Sequence, residues 1–342
     1  MSERSGSEQD FVVLDHGTGA KLSRELVERI AEALGDVYIG QMEDSALLDV
    51  GAGRIAVTTD SFVVTPLFFG SGDIGKVSVC GTVNDLAVSG ARPLYLTLGL
   101  ILEAGFPMKS LLRILASIRA AALEANVKIV AGDTKVVRQG EADQIFINTT
   151  GVGVLERSPL RAQAVRPGNK IIISGNIGNH SIHLLSVREG LGFERRVESD
   201  CAPLNGMIDM LLKSLPEGTI SCMRDVTRGG LCAVLHEFAR ASGHTLQFHK
   251  ERVPVTPEAV MAADMLGIEL IHLANEGCLC LFVDEAHAEQ VLGLLREHPY
   301  GRNAAIIGEV TATPEPRVYM VAPDGTRTML EELYGAELPR LC

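Results

Sequence analysis

Residues 156–169 read ERSPLRAQAVRPGN. Two prolines, no apolar period and a closing Pro-Gly turn signal make this stretch a junction rather than a helix or a strand. Enough chain lies on each side of it for a domain, and a length of 342 residues favours two. The expected organisation is a disordered lead over 1–10, an N-terminal domain over 11–156, a C-terminal domain over 157–330 and a mobile tail over 331–342. Working back from the junction, the pattern predicts strands at 144–155 and 128–131, a helix over 108–125 and a β run at 94–102. A helical stretch at 75–89 and a strand at 54–58 precede them. A helix near 21–34 places Leu22, Leu26, Val27, Ile30 and Leu34 on one face. Working forward, strands are expected at 170–174, 278–283, 304–310 and 316–321. Helices are expected at 180–189, 203–214, 230–242, 257–266 and 286–297. Strands and helices mix in both halves, so the class is α/β or α+β.

Apolar residues make up 46% and charged residues 22%, a balance that allows a large core without staples. The formal net charge of −12 argues against a nucleic-acid partner. It leaves room for a nucleoside triphosphate, which arrives with Mg²⁺ that carboxylates can hold. The seven cysteines are odd in number and contain no C-x-x-C pair, as in a reduced cytoplasmic chain. The first residues, MSERSGSEQD, have no apolar core, and no run of 18 apolar residues occurs, so neither a secretory signal nor a membrane span is expected.

Five aspartates stand at predicted element ends among glycines and hydroxyl residues: Asp44, Asp60, Asp85, Asp133 and Asp225. Each alone is equally a cap or turn residue. As a set, they offer carboxylates from several loops to one metal–phosphate ligand. His16-Gly17-Thr18-Gly19, ahead of a helix, is a candidate phosphate-covering loop. Gly70-Ser-Gly-Asp-Ile-Gly-Lys76 imitates a P-loop, but Val77 stands where a Ser or Thr must supply a hydroxyl. The expected structure there is a loop with Gly75 starting a helix. Cys278 and Cys280, two apart on a strand, are expected in the core on one face, with Cys80, Cys222 and Cys232 also in the core. His180 and His183 lack further ligands and are expected at the surface or as caps. Cys342 is the last residue, after two helix breakers, Gly335 and Pro339. It is either accidental or a carrier thiol, and twelve extended residues reach about 40 Å at ~3.3–3.6 Å each.

Ala274-Asn-Glu-Gly277, Gly132-Asp-Thr-Lys-Val136, Arg224-Asp-Val-Thr-Arg-Gly-Gly230, Asn84-Asp85 and the terminal Pro339-Arg340-Leu341-Cys342 resemble the motifs of the HypE family, the carbamoyl dehydratases of [NiFe]-hydrogenase maturation. The resemblance runs from about residue 15 to the end, with Leu341 where Ile is common. It implies the fold of aminoimidazole ribonucleotide synthetase and selenophosphate synthetase. In that fold an N-terminal α+β domain pairs through its sheet in a homodimer, followed by a C-terminal α/β domain. It implies ATP and Mg²⁺ as cofactors, with Asp44, Asp60, Asp85 and Asp225 as metal ligands. Asn84, Asp133, Thr134, Thr227, Gly17 and Gly19 would complete the nucleotide site.

The implied reaction starts when a carbamoyltransferase, HypF, loads Cys342. ATP phosphorylates the carbamoyl oxygen, a base removes the nitrogen protons, and the resulting thiocyanate delivers cyanide to iron on a HypC–HypD complex. Glu276 resembles the base and Lys135 a residue that stabilises negative charge; either is otherwise a salt-bridge or capping residue. A selenophosphate synthetase-like or thiamine phosphate kinase-like enzyme is the competing reading. The former carries a reactive Cys or selenocysteine near its N-terminus, whereas the first cysteine here is Cys80, and neither explains Cys342. A non-catalytic metal scaffold would need clustered Cys and His ligands.

Overall fold

The computed structural model describes residues 21, 22, 24–26, 28, 45–51, 53–332, 340 and 341. The disordered lead, most of the helix expected over 21–34, Gly17, Gly19, Asp44, Cys342 and residues 333–339 of the tail lie outside the described residues. Two sheets organise the rest. The first takes β1 (Ala46–Asp49), β2 (Arg54–Phe62), β3 (Arg92–Glu103), β4 (Lys128–Val137) and β5 (Ile145–Val154) in the order β1-β2-β5-β3-β4. β5 is antiparallel to both neighbours, and β4 runs parallel to β3. Parallel neighbours need a crossover, and α2 (Met108–Glu124) supplies it after α1 (Ile74–Val88).

Helix α1 is buried almost all round, which explains why no amphipathic period marks it. Asp73 caps it, accepting from Lys76 N at 3.0 Å. A Cβ on Gly75 would stand 2.6 Å from the Ile114 carbonyl oxygen, so glycine is needed where α1 meets α2. The P-loop imitation is thus a helix start, as expected.

The second sheet has the order β12-β11-β8-β10-β6-β9-β7. Its strands are β6 (Lys170–Ile173), β7 (Ile220–Asp225), β8 (Leu246–His249), β9 (Leu279–Val283), β10 (Ala305–Val310), β11 (Val318–Val321) and β12 (Arg327–Met329). Helices α3 (Asn179–Glu189), α4 (Asn205–Ser214), α5 (Gly230–Ser242), α6 (Pro257–Leu266) and α7 (Ala288–Glu297) surround it. Strand β9 is buried on both faces. Cys278, Cys280 and Phe282 pack with Leu235 and Phe238 of α5, while Leu279, Leu281 and Val283 pack with α4 and α7. Helices on both faces make this half an α/β layer, although only β8 and β11 pair in parallel. The six cysteines among the described residues are all buried.

The two halves share one core at their seam. Cys80 and Val83 of α1 pack in one cluster with Leu184, Cys201, Ala274 and Leu341. Asn84 on α1 crosses the seam: its Nδ2 donates to Ala202 O at 3.1 Å, and its Oδ1 accepts from Leu204 N at 2.7 Å.

Several elements depart from expectation. β4 continues six residues past its predicted end because β3 pairs along its whole length, overriding the low β propensity of Gly132 and Asp133. β7, β8 and β12 carry no period long enough to be predicted. His180 and His183 were expected at the surface or as caps and are instead buried. Their ring nitrogens meet Ser199 Oγ and backbone oxygens of Leu341, Val197 and Phe69. Polar partners at both ends are what make such burial tolerable.

Candidate active site

The site lies at the seam. Asp60 comes from near the C-terminal end of β2, Asp225 ends β7, and Glu276 sits in the turn before β9. Asp60 Oδ2 accepts from Thr82 Oγ1 at 2.7 Å, so α1 orients it from below the sheet. Thr149 Oγ1 continues the chain by donating to Ser78 O at 3.0 Å. One turn further along α1, Asp85 Oδ2 accepts from Thr58 Oγ1 at 2.8 Å. Its backbone oxygen accepts from Ser45 Oγ at 2.8 Å.

Three carboxyls of this site feel one another. Burial, the largest cause, pushes Asp225 up to about 6; Arg224 opposes this and Asp60 adds to it. Burial also raises Asp60, against the hydroxyl of Thr82 and the charge of Arg228. Glu276 is raised well above the usual carboxylate range by burial, then by Cys201, Asp225, Asp200 and Asp60. Such a cluster is unfavourable on its own and suits a site that receives cations or moves protons.

The Glu276 turn is rigid. Asn275 is fully buried: its Oδ1 accepts from Gly178 N at 2.9 Å, and its Nδ2 donates to Asn176 O at 2.9 Å and Asp200 Oδ2 at 2.7 Å. Asp200 Oδ1 accepts from Glu276 N at 3.0 Å. A Cβ on Gly277 would lie 1.8 Å from the Asp200 carbonyl oxygen. Gly277→Ala is therefore expected to lose at least ~3 kcal/mol, because backbone rather than a flexible side chain would have to move. A urea midpoint matching the parent would disprove this account of the turn.

β7 leads through a tight turn into α5. Gly229 and Gly230 both take left-handed backbone, with φ of 79° and 63°. No side chain caps the helix, so its first turn leaves backbone amides without a side-chain partner at the Asp225 end. Thr227 lies in this turn, accepting with its backbone oxygen from Gly230 N at 2.9 Å.

Asp133, Thr134 and Lys135 stand apart, on the exposed edge strand β4. Lys135 Nζ pairs with Asp133 Oδ2 at 2.7 Å. The register sets Asp133 beside Gly99 and Lys135 beside Ile101, hence on the sheet face opposite α1. Within one chain they are not brought to Glu276. The proximal contacts of Asn84 are the seam bonds to Ala202 and Leu204.

The tail was expected to be exposed. Its last described residues are docked instead. Thr65 N donates to Arg340 O at 3.1 Å, Arg340 Nε donates to Val63 O at 2.7 Å, and Leu341 is buried at the seam. A buried leucine contributes about 1.5–3 kcal/mol, enough to hold a short tail in place. Sequence reasoning missed Asp200 and Arg188, and gave Asn275 and His180 no role in the site. The signal for Asp200 was weak: a Ser-Asp-Cys-Ala-Pro cluster over 199–203 that reads as an ordinary turn.

Two family descriptions match. "AIR synthase related protein, N-terminal domain" covers residues 42–155, and "AIR synthase related protein, C-terminal domain" covers residues 166–321. Carbamoyl dehydratase HypE of Azotobacter vinelandii is 45% identical over 341 residues, 99% of this chain and 98% of the relative. The chain belongs to the HypE family. A solved HypE–HypF complex holds a HypE chain that is 44% identical, with a TM-score of 0.84, over 90% of this chain and 99% of that one. A HypE solved in complex with ATP is 41% identical, with a TM-score of 0.81, over 97% of this chain and all of that one. Full-length membership in the HypE family decides between the two enzyme readings in favour of an ATP-dependent carbamoyl dehydratase. Among the described residues no helix is long and apolar enough to cross a membrane, and no three His, Cys, Asp or Glu side chains converge as a metal-holding group.

Proposed function

We propose that this chain carries a carbamoyl group on the Cys342 thiol and dehydrates it to a thiocyanate at the expense of ATP. The observation that supports this best is the arrangement of the seam. Buried, mutually repelling carboxyls stand there, and the segment 199–202 links their loop to the docked tail. In the reaction R–S–C(=O)–NH₂ + ATP → R–S–C≡N + ADP + phosphate, the carbamoyl oxygen leaves within phosphate, and both nitrogen protons are removed.

Glu276 is the proposed base, and its burial excludes water that would hydrolyse the intermediate. Mg²⁺ fits the donor set: it takes one or two carboxylates plus phosphates, and Asp60 and Asp225 are hard oxygen donors whose mutual repulsion a cation relieves. Asp44 and Asp85 complete the proposed metal set; Mg²⁺ would neutralise phosphate charge. The Asp225–Gly230 turn and the Gly17–Gly19 loop are the proposed phosphate contacts, and Thr134 and Thr227 proposed hydroxyl contacts.

Residues 11–156 form the proposed ATP-binding and dimerisation unit, 157–330 the second domain and 331–342 the carrier tail. The first sheet supports pairing into a homodimer, since its face opposite α1 shows Tyr95 and Ile101 at 46% and 43% exposure. That pairing would cover the face bearing Asp133 and Lys135, where Lys135 is the proposed stabiliser of negative charge. HypF as donor, HypC–HypD as acceptor and a cytoplasmic setting complete the reading.

Intact mass after incubation with carbamoyl phosphate, HypF, ATP and Mg²⁺ tests it. A carbamoyl adduct on the C-terminal peptide that loses one water when ATP is in excess is the expected result. ATP consumption with Cys342 unmodified would overturn it.

Asp225→Asn separates site from scaffold. Displacement from 3.8 to about 6 corresponds to ~3 kcal/mol at neutral pH. The shift is upward, so the folded state binds the proton more tightly, and this contribution to stability declines as pH rises from near 3.8 through about 6. The Asn variant lacks that decline and is expected to be at least as stable as the parent at neutral pH. Its affinity for ATP with Mg²⁺ is expected to fall at least about tenfold by titration calorimetry. Unchanged affinity would remove Asp225 from the site.

A further inference from the structure

Both halves of the molecule hold Arg340 and Leu341. Arg188 Nε donates to Thr65 O at 2.6 Å, and its Nη2 donates to Arg340 O. Arg340 also forms an ion pair with Asp143. His180, buried in α3, reaches the Leu341 carbonyl through Nε2 at 2.7 Å and Ser199 Oγ through Nδ1 at 2.8 Å.

The direction of these bonds is fixed by chemistry. A carbonyl oxygen only accepts, so Nε2 carries the proton. Burial holds the imidazole neutral, with its pKa pulled down to about 4, so Nδ1 is unprotonated and Ser199 must donate to it. Ser199 Oγ in turn accepts from Cys201 N at 3.2 Å. The next residue along from Ser199 is Asp200, which takes the backbone N–H of Glu276. Ser181, beside His180, donates from Oγ to Ala274 O at 2.9 Å, on the same turn. One short segment thus ties the seat of the tail to the loop of the base.

We propose that His180 is a positioning residue for the dehydration, orienting the last peptide unit of the chain and, through Ser199, setting it in register with the Glu276 turn. The proposal rests on the reading of Cys342 as carrier. The Leu341 carbonyl belongs to a planar peptide unit, so fixing it fixes the direction in which the chain leaves Leu341. The seat reads mostly backbone, with Arg340 and the apolar side chain of Leu341 supplying selectivity.

The test uses the full chain and two substitutions of one residue. His180→Gln can place an amide N–H near the position of Nε2, whereas His180→Asn is too short to reach the carbonyl. The first readout is the rate at which iodoacetamide alkylates Cys342, followed on the C-terminal peptide. The second is the single-turnover rate of dehydration of carbamoylated chain, and the third the urea midpoint.

His180→Asn is expected to alkylate about 3- to 10-fold faster than the parent, the range of one hydrogen bond, and to dehydrate more slowly by at least that factor. His180→Gln is expected to stay close to the parent in both. Ser199→Ala, which leaves the imidazole in place but unregistered, is expected to fall between them. Equal alkylation in the parent and all variants would overturn the proposal. So would a His180→Gln that behaves as His180→Asn, with rates falling only in step with the urea midpoint. If carbamoylated parent fails to dehydrate, the carrier reading falls, while the alkylation contrast still judges the positioning role of His180.

Discussion

Cys342→Ala is expected to abolish cyanation completely while leaving the fold and ATP binding unchanged. The argument is stoichiometric rather than energetic. If the thiol is the carrier, its removal leaves no atom on which the carbamoyl group can reside, and no residual rate survives from the rest of the site. Stability should be indifferent, because the core contribution of the docked tail comes from Leu341 and the anchoring bonds from Arg340 and the Leu341 carbonyl. Intact mass with labelled carbamoyl phosphate decides it. Label retained on the variant would place the acceptor elsewhere and end the carrier reading. The six other cysteines are poor substitutes: all are buried, and burial pushes Cys278 up to about 12 and Cys280 higher still. A buried thiol so shifted is mostly protonated and a weak nucleophile.

The legible part of the sequence was its periodicity. The helices over 108–124 and 230–242 and the strands at 145–154 and 279–283 follow directly from apolar spacing and from buried runs. The site was legible only as motifs. Nothing in the spacing of Asp60, Asp225 and Glu276, which lie far apart in the chain, says that they meet. That meeting depends on α1 crossing the seam and on Asn84 bonding to Ala202 and Leu204. The supporting residues were invisible for a different reason. Asp200 reads as a turn residue and His180 as a surface or capping residue, and their burial is stabilised by partners distant in sequence. A sequence window cannot price such burial, because the compensating donors and acceptors lie outside it.

Glu276→Gln is expected to lower the dehydration rate by about 10²–10⁴-fold, the usual worth of a positioned general base. The substitution keeps shape, and the backbone N–H of residue 276 still meets Asp200, so the turn should persist. ATP affinity is therefore expected to hold. The pH dependence carries the sharper prediction. Burial and the neighbouring Cys201, Asp225, Asp200 and Asp60 raise Glu276, so its carboxylate is scarce at low pH and, if it is the base, the parent's rate should climb as pH rises through that elevated value. Gln cannot titrate, and this limb should flatten in the variant. Stability moves the opposite way. A carboxyl raised on folding makes the folded state hold its proton more tightly, so its contribution is lost as pH rises, and Gln removes that loss. The variant should be at least as stable as the parent at and above neutral pH, yet nearly inactive. A residue serving only the fold would show the reverse, with stability and rate falling together. That opposition is the mark of a group held against its own preference for water, which is what a base that must strip protons from an amide nitrogen in a closed site requires.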